Sequence, residues 1–242
     1  MPEPTRLGNE AAMRRMHEIL RDRGMQIPSG GALYADPGGP QEPGSPEWHR
    51  QTRTDVAVAR WRAATPPQYA EATATAPAVR DWVRAMLEGP STPQSLVLTG
   101  PVGRGKTWEA YGALRALAEA PVPNFGLLAV RAADMYASLR PTATPGSAEI
   151  AMGRLCRVPY LLIDDLGAGK WSEAVHEASE RIFFYRYDHR LPTVITSNLP
   201  PRSDDGEDLV SWVGDRVASR LAQTARIVAM LGPDRRRLEG AA

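Results

Sequence analysis

Cysteine is nearly missing from this chain: one residue, Cys156, stands among 242. A single thiol excludes an internal disulfide framework and any Cys-rich zinc module. Its apolar neighbours suit a buried or half-buried thiol better than a reactive one. Lysine is almost as scarce, with only Lys106 and Lys170 against a large excess of arginine. The four histidines are scattered, without metal-ligand spacing. Charge of one sign is lacking too, since the net value of +1 gives no global field that would mark a nucleic-acid binder. No apolar run approaches membrane-spanning length, and Met1 opens a polar, proline-containing segment, not a signal peptide. These absences lead to the expectation of a cytoplasmic protein with no membrane partner.

What is present falls into three regions. Residues 10–25 carry Met13, Met16, Ile19 and Leu20 at helical spacing, with Asn9 placed to cap the start and Gly24 the end. Segment 1–25 is therefore read as an amino-terminal helical element. Its Met-rich stripe suits an adaptable partner groove, and equally a helix folding back on its own core. Residues 26–47 are too rich in Gly and Pro to fold alone and read as a linker. From about Trp48 to residue 242 the pattern is globular. Helices are expected at 50–63 and 76–88, followed by apolar runs at 96–99, 126–130, 159–164 and 193–197 separated by helical stretches. Strands alternating with helices predict an α/β fold with a parallel sheet flanked by helices.

The scarcity of lysine directs attention to Lys106. Gly100, Gly103, Gly105, Lys106 and Thr107 fit G-x-x-x-x-G-K-[ST] after an expected strand and before an expected helix. Glycines let backbone N–H groups curl around phosphate oxygens, and a helix N-terminus adds partial positive charge. A lysine reaches the β- and γ-phosphates as a compact point charge, where arginine's wide fork does not substitute. The expected ATP-binding set is Gly100, Pro101, Val102, Gly103, Arg104, Gly105, Lys106, Thr107 and Trp108, with the Thr107 hydroxyl on Mg2+.

Two further stretches complete the chemistry. "VPYLLIDDLG" ends an apolar strand in Asp164 and Asp165, and carboxylates at a strand's C-terminal end lie where ligands bind in such sheets. Asp164 is expected to hold Mg2+ and Asp165 to polarise the attacking water. "LPTVITSNLP" ends in Thr196, Ser197 and Asn198; an amide there can orient water near a γ-phosphate, although Ser-Asn is also ordinary turn chemistry.

The ordered set "TPPQYAEA", "SLVLTGPVGRGKT", "YLLIDDLG", "RLPTVITSNL", "VGDRVASRL" and "LGPDRR" resembles the AAA+ ATPases of the DnaC/IstB-like group, over roughly residues 60–237. The resemblance implies that Asn198 is the sensor-1 residue and Arg220 an arginine finger acting on a neighbouring subunit. It implies that Arg236, adjoined by Arg235 and Arg237, is the sensor-2 arginine. Many relatives carry glutamate where Asp165 stands, so slow, assembly-dependent hydrolysis is expected. Arg216 and Arg220, four apart, share one helical face, and that helix is read to place Arg220 beyond the sheet's nucleotide edge. The group also carries a helix associated with single-stranded DNA. "RAADMYASLR" is the candidate here, with Met135, Tyr136 and Arg140 offering a stacking ring and a phosphate partner; the same letters suit an amphipathic core helix.

The resemblance implies an ATP-dependent helicase loader that binds and remodels a replicative ring helicase for delivery to single-stranded DNA, and that assembles as a homo-oligomer. Within the same group stands a transposition helper ATPase acting on duplex DNA. Outside it stands a non-catalytic adaptor that holds nucleotide for structure alone.

Overall fold

The computed structural model describes residues 43–89, 94–140, 146–168, 172–204, 206–232 and 234. The expected helix at 10–25, most of the expected linker, and Arg235, Arg236 and Arg237 lie outside them. The described residues from 50 onward form one compact unit, and residues 43–49 belong to another.

Element order follows the alternation of the sequence. Helix α1 (Pro46–Ala64) leads through a short 3-10 turn (Pro67–Tyr69) to α2 (Pro77–Glu88). Pro77 suits the first turn of α2, where its missing N–H would have no partner, and Gly89 ends it. Then come β1 (Ser95–Thr99), α3 (Lys106–Ala118), β2 (Leu127–Arg131) and α4 (Ala132–Ser138). Helix α5 (Ser147–Arg157), β3 (Tyr160–Leu166), α6 (Glu173–Asp188) and β4 (Thr193–Ser197) follow. The described part closes with α7 (Leu209–Val213), α8 (Asp215–Thr224) and β5 (Ala225–Ala229). The four expected strands are present within a few residues of their expected bounds. Strand β5, "ARIVA", was not anticipated; its apolar letters are few, and pairing with β1 makes it a strand.

All five strands are parallel, in the order β2-β3-β4-β1-β5. Strands β1 and β4 are buried along their whole lengths, which explains their continuous apolar letters. Alternate residues feed two cores. Val97, Ile163 and Ile195 face α4 to α8 through Met135, Leu155, Ile182 and Val217. Leu96, Leu98, Leu162 and Val194 face α1, α2 and α3 through Trp61, Trp82, Leu114 and Leu117. The order has one consequence for chemistry. Strand β4 lies between β1 and β3, so whatever ends β4 sits between the glycine-rich loop after β1 and the acidic end of β3.

Cys156 is buried in the first of these cores, and burial pushes its thiol pKa up, away from reactivity. Met135 and Tyr136 are buried there as well, and the Tyr136 hydroxyl is 2.7 Å from Ser179 Oγ. This corrects the expectation of a stacking ring on α4. A side chain packed under α6 has no face to offer a base. Arg140 alone of that trio is exposed. Among the described residues no helix is long and apolar enough to cross a membrane.

Candidate active site

The loop 100–105 turns sharply between β1 and α3, and two of its glycines are required there. Gly100 has φ 134°, and a Cβ on it would lie 2.5 Å from the Met230 carbonyl oxygen. Gly103 has φ 81°, and a Cβ would run into the Asp234 carboxylate. Lys106 begins α3 and is buried, with its ammonium drawn back over the loop. Its Nζ donates to Gly100 O at 2.7 Å, Pro101 O at 2.8 Å and Asn198 Oδ1 at 2.8 Å.

Strand β3 is irregular where its two carboxylates stand. Its register with β4 shifts between Ile163 and Leu166, and Asp165 takes a left-handed φ of 59°. Aspartate tolerates that conformation better than most residues, and such strain is typical of functional sites. The bulge aims the two carboxylates differently. Asp164 Oδ1 accepts from Thr107 Oγ1 at 2.8 Å and from Thr196 Oγ1 at 2.6 Å. Asp165 accepts from Asn198 Nδ2 at 2.6 Å, while its backbone N–H donates to Thr196 Oγ1 at 2.8 Å. Asn198 therefore bridges Lys106 and Asp165. Lysine can only donate and carboxylate only accept, so the amide's orientation is fixed by its partners.

These groups line a cavity of about 620 Å³ at the carboxyl ends of the strands. Seven of the nine expected binding residues line it: Val102, Gly103, Arg104, Gly105, Lys106, Thr107 and Trp108; Gly100 and Pro101 reach it through their bonds to Lys106. Asp164, Asp165 and Asn198 line it too. Arg104 Nε is buried and without a hydrogen-bond partner among the described residues.

Sequence reasoning gave no site role to Tyr69, Arg131 and Thr196, which also line the cavity. Tyr69 stacks on Tyr111 with ring centroids 4.9 Å apart, and Arg131 is paired in register with Asp164. Burial, and then Asp164, push the Tyr111 hydroxyl pKa up, so that phenol stays neutral. Glu109 was missed too. It is fully buried on α3 and accepts from the backbone N–H groups of Thr75 and Ala76 and the Thr75 hydroxyl, tying segment 72–76 to the helix that starts at Lys106. None of these could be found from letters alone, because each partner is more than 25 residues away in the chain.

Arg220 is not brought to this cavity. It lines a second one, of about 640 Å³, with Gln94, Ser95 and Thr193, which begin β1 and β4. Arg220 thus lies at the amino ends of the strands, which corrects the expectation that it stands beyond the nucleotide edge. The reason is the run of α8, which descends to feed β5 in parallel with β1.

A five-stranded parallel sheet with a glycine-rich loop, paired acids and an amide at its carboxyl edge defines an α/β P-loop architecture of the AAA+ type. The chain belongs to the family of IstB-like ATP binding proteins, whose model matches residues 83–232. Among solved structures, a DnaC helicase loader matches with TM-score 0.57 at 22% identity, over 69% of this chain and 100% of that one. A DnaI structure matches with TM-score 0.56 at 21% identity, over 73% and 99%. A DnaA replication initiator bound to AMPPCP and single-stranded DNA matches with TM-score 0.55 at 21% identity, over 69% and 51%. At these identities the likeness is one of fold. No curated protein matches the chain. Family membership is that of an ATP binding protein.

The donor set also fits a magnesium ion. Among the described residues no group of three or more His, Cys, Asp or Glu could hold a metal. Mg2+ on a nucleotide needs less, because phosphates and water supply most of its oxygens. The Thr107 hydroxyl and the Asp164 carboxylate are two hard oxygen donors already in contact.

Proposed function

We propose that this chain is an ATP-driven remodelling ATPase that works on DNA as a transposition helper. Membership of the IstB-like family supports this reading over the helicase loader. The loader is the second reading, favoured by a fold shared with a DnaC helicase loader over that chain's whole length. The observation that carries the ATPase assignment is the bridge made by Asn198 between Lys106 and Asp165.

The roles follow from that bridge. Lys106 exchanges its carbonyl partners Gly100 and Pro101 for β- and γ-phosphate oxygens, a neutral-for-anionic exchange that strengthens each bond. Residues 100–108 wrap the phosphates, with the amino end of α3 aimed at them. Thr107 and Asp164 would hold Mg2+, which would supply neutralising charge to the phosphates. Asp165 accepts the proton of the attacking water, and Asn198 orients that water against the γ-phosphate. Arg236, beyond the described residues, is assigned as a second arginine toward the nucleotide. Arg220 has its own loop 100–107 at the other end of a strand about 16 Å long, taking five residues at roughly 3.3 Å each, so it acts on a neighbouring copy.

ATP turnover by the full chain, measured alone, with single-stranded DNA and with duplex DNA, tests the reading. Stimulation by duplex together with assembly along it is expected for the transposition helper. Stimulation only by single strands and a ring helicase identifies the loader instead. Tight ATP binding with no turnover in any condition overturns both and leaves the adaptor.

A further inference from the structure

The guanidinium of Arg220 is held by aromatic rings. Its central carbon lies 4.0 Å from the ring centre of Phe184 and 5.3 Å from that of Tyr187, both on α6. Arg216 stands 5.0 Å over the same Phe184, but it has a carboxylate partner, Glu180 Oε1 at 3.5 Å. Arg220 has none among the described residues. Its Nη1 makes one long bond, to the Arg216 carbonyl at 3.3 Å, and its Nε is buried without a partner. The next turn of α8 adds no competitor, since Thr224 Oγ1 donates to the Arg220 carbonyl and leaves the side chain alone.

An aromatic face is an unusual partner for a cation. It attracts the charge through the ring quadrupole and yet accepts almost none of the guanidinium's N–H bonds. A carboxylate in the same place would fix the side chain, cancel its charge and occupy the donors that a phosphate needs. Phe184 and Tyr187 therefore do what a salt bridge cannot: they hold Arg220 in one place while leaving it fully charged. We propose that Phe184, with Tyr187, is a positioning platform that keeps Arg220 pre-oriented, with its charge uncancelled, for the phosphate of a neighbouring copy's nucleotide. Glu180 complements the arrangement by engaging Arg216 rather than Arg220. The inference rests on the reading of Arg220 as a group acting between copies, and deepens it.

The experiment uses the full chain under DNA-supported assembly, with Phe184→Leu, Phe184→Trp, Arg220→Ala and the double variant Phe184→Leu/Arg220→Ala. Leucine keeps an apolar filling and removes the ring face. Phe184→Leu is expected to lower turnover at saturating ATP roughly three- to thirtyfold, the range of one partly desolvated cation–ring contact, with KM for ATP unchanged. Phe184→Trp should keep most of the wild-type rate, and the double variant should be no slower than Arg220→Ala alone. A wild-type rate in Phe184→Leu beside a slow Arg220→Ala overturns the platform and leaves the role of Arg220 standing. Equal losses in the leucine and tryptophan variants also overturn it, since they mean that Phe184 only supports packing. A wild-type rate in Arg220→Ala removes the action between copies, and this inference with it. A readout independent of turnover is the Nε–H proton resonance of Arg220. It should be displaced by the Phe184 ring current in the wild type and return to the exposed-arginine position in Phe184→Leu; an undisplaced wild-type signal overturns the platform outright.

Discussion

The two ends of the sheet treat buried cations in opposite ways. At the carboxyl edge Lys106 donates to two loop carbonyls and to Asn198, all neighbours that an incoming phosphate can replace. At the amino edge Arg186, 1% exposed, donates to the carbonyls of Leu155, Cys156, Val158, Pro159 and Pro192 and to Thr193 Oγ1. No carboxylate answers that charge among the described residues; the oriented carbonyls at the end of α5 do, as the negative pole of a helix would. Burial pushes the Arg186 pKa down to about 10, so it remains a cation at neutral pH. One end commits its cation permanently to the backbone, and the other keeps its cation exchangeable. A cation whose donors are all taken by backbone is a structural rivet; one held by loop carbonyls and an amide is a receptor waiting for an anion.

The sharpest way to break that comparison is Arg186→Leu. It removes the guanidinium from five carbonyls, of which that of Pro192 keeps the Leu161 N–H, and loss of such a buried charged hub costs about 3–5 kcal/mol. Denaturant melts should show the loss while the folded fraction binds ATP normally. Altered affinity in the folded fraction would mean that the amino edge reports to the nucleotide end. Asp165→Asn probes the other edge. It keeps the shape but removes the proton acceptor, so turnover is expected to fall by roughly 10²–10⁴ with ATP binding retained; turnover at the wild-type rate in a multiple-turnover assay assigns the base elsewhere. Lys106→Ala should weaken ATP by about a hundredfold, the equivalent of ~2.7 kcal/mol, in titrations with a fluorescent ATP analogue, and should leave the melting midpoint nearly unchanged. A collapse in stability would make Lys106 a rivet as well.

The smallest effect is expected at Asp208, which lines neither cavity. Its carboxylate caps α7, accepting from the Ser211 hydroxyl and from the backbone N–H groups of Ser211 and Ser203, and these bonds pull its pKa down to about 2. A lowered carboxyl pKa stabilises the fold fully above the ordinary value of 3.8, and that contribution is lost as pH falls toward 2. Asp208→Asn should therefore lower the melting temperature slightly at pH 7, and the difference from wild type should vanish near pH 2. An undiminished difference there would place the effect in packing instead.

Legibility in the sequence followed how local each determinant is. The glycine-rich loop, the acidic pair and the strand-ending amide are contiguous strings whose chemistry is written in their spacing, so "GPVGRGKT", "LLIDDLG" and "ITSN" could be read as one site before any coordinates. The strands β1, β3 and β4 were legible for the same reason, as continuous apolar runs. Three kinds of feature were not. Arg186 looks like any arginine on an amphipathic helix, and only the approach of α5 and β4 reveals its carbonyl cage. The letters around Tyr136 suited a ring for a base and a core side chain alike, and the packing of α6 decided for the core. Arg220 was read from the resemblance as an arginine finger, but its place at the amino ends of the strands depends on the direction of α8 and β5.

By itself, then, the sequence determined the alternation of strand and helix, the chemistry at the carboxyl edge and the scarcity of lysine that makes Lys106 conspicuous. All of these are set by residue type and by spacings of a few residues. The tertiary structure alone decided that β4 is inserted between β1 and β3, and so that Asn198 bridges Lys106, 92 residues away, to Asp165, 33 residues away. It alone decided which arginine is enclosed by carbonyls and which is left charged on a phenylalanine ring. Pairing order and the burial of a charge are properties of segments distant in the chain, and no local pattern of letters encodes which of them will meet.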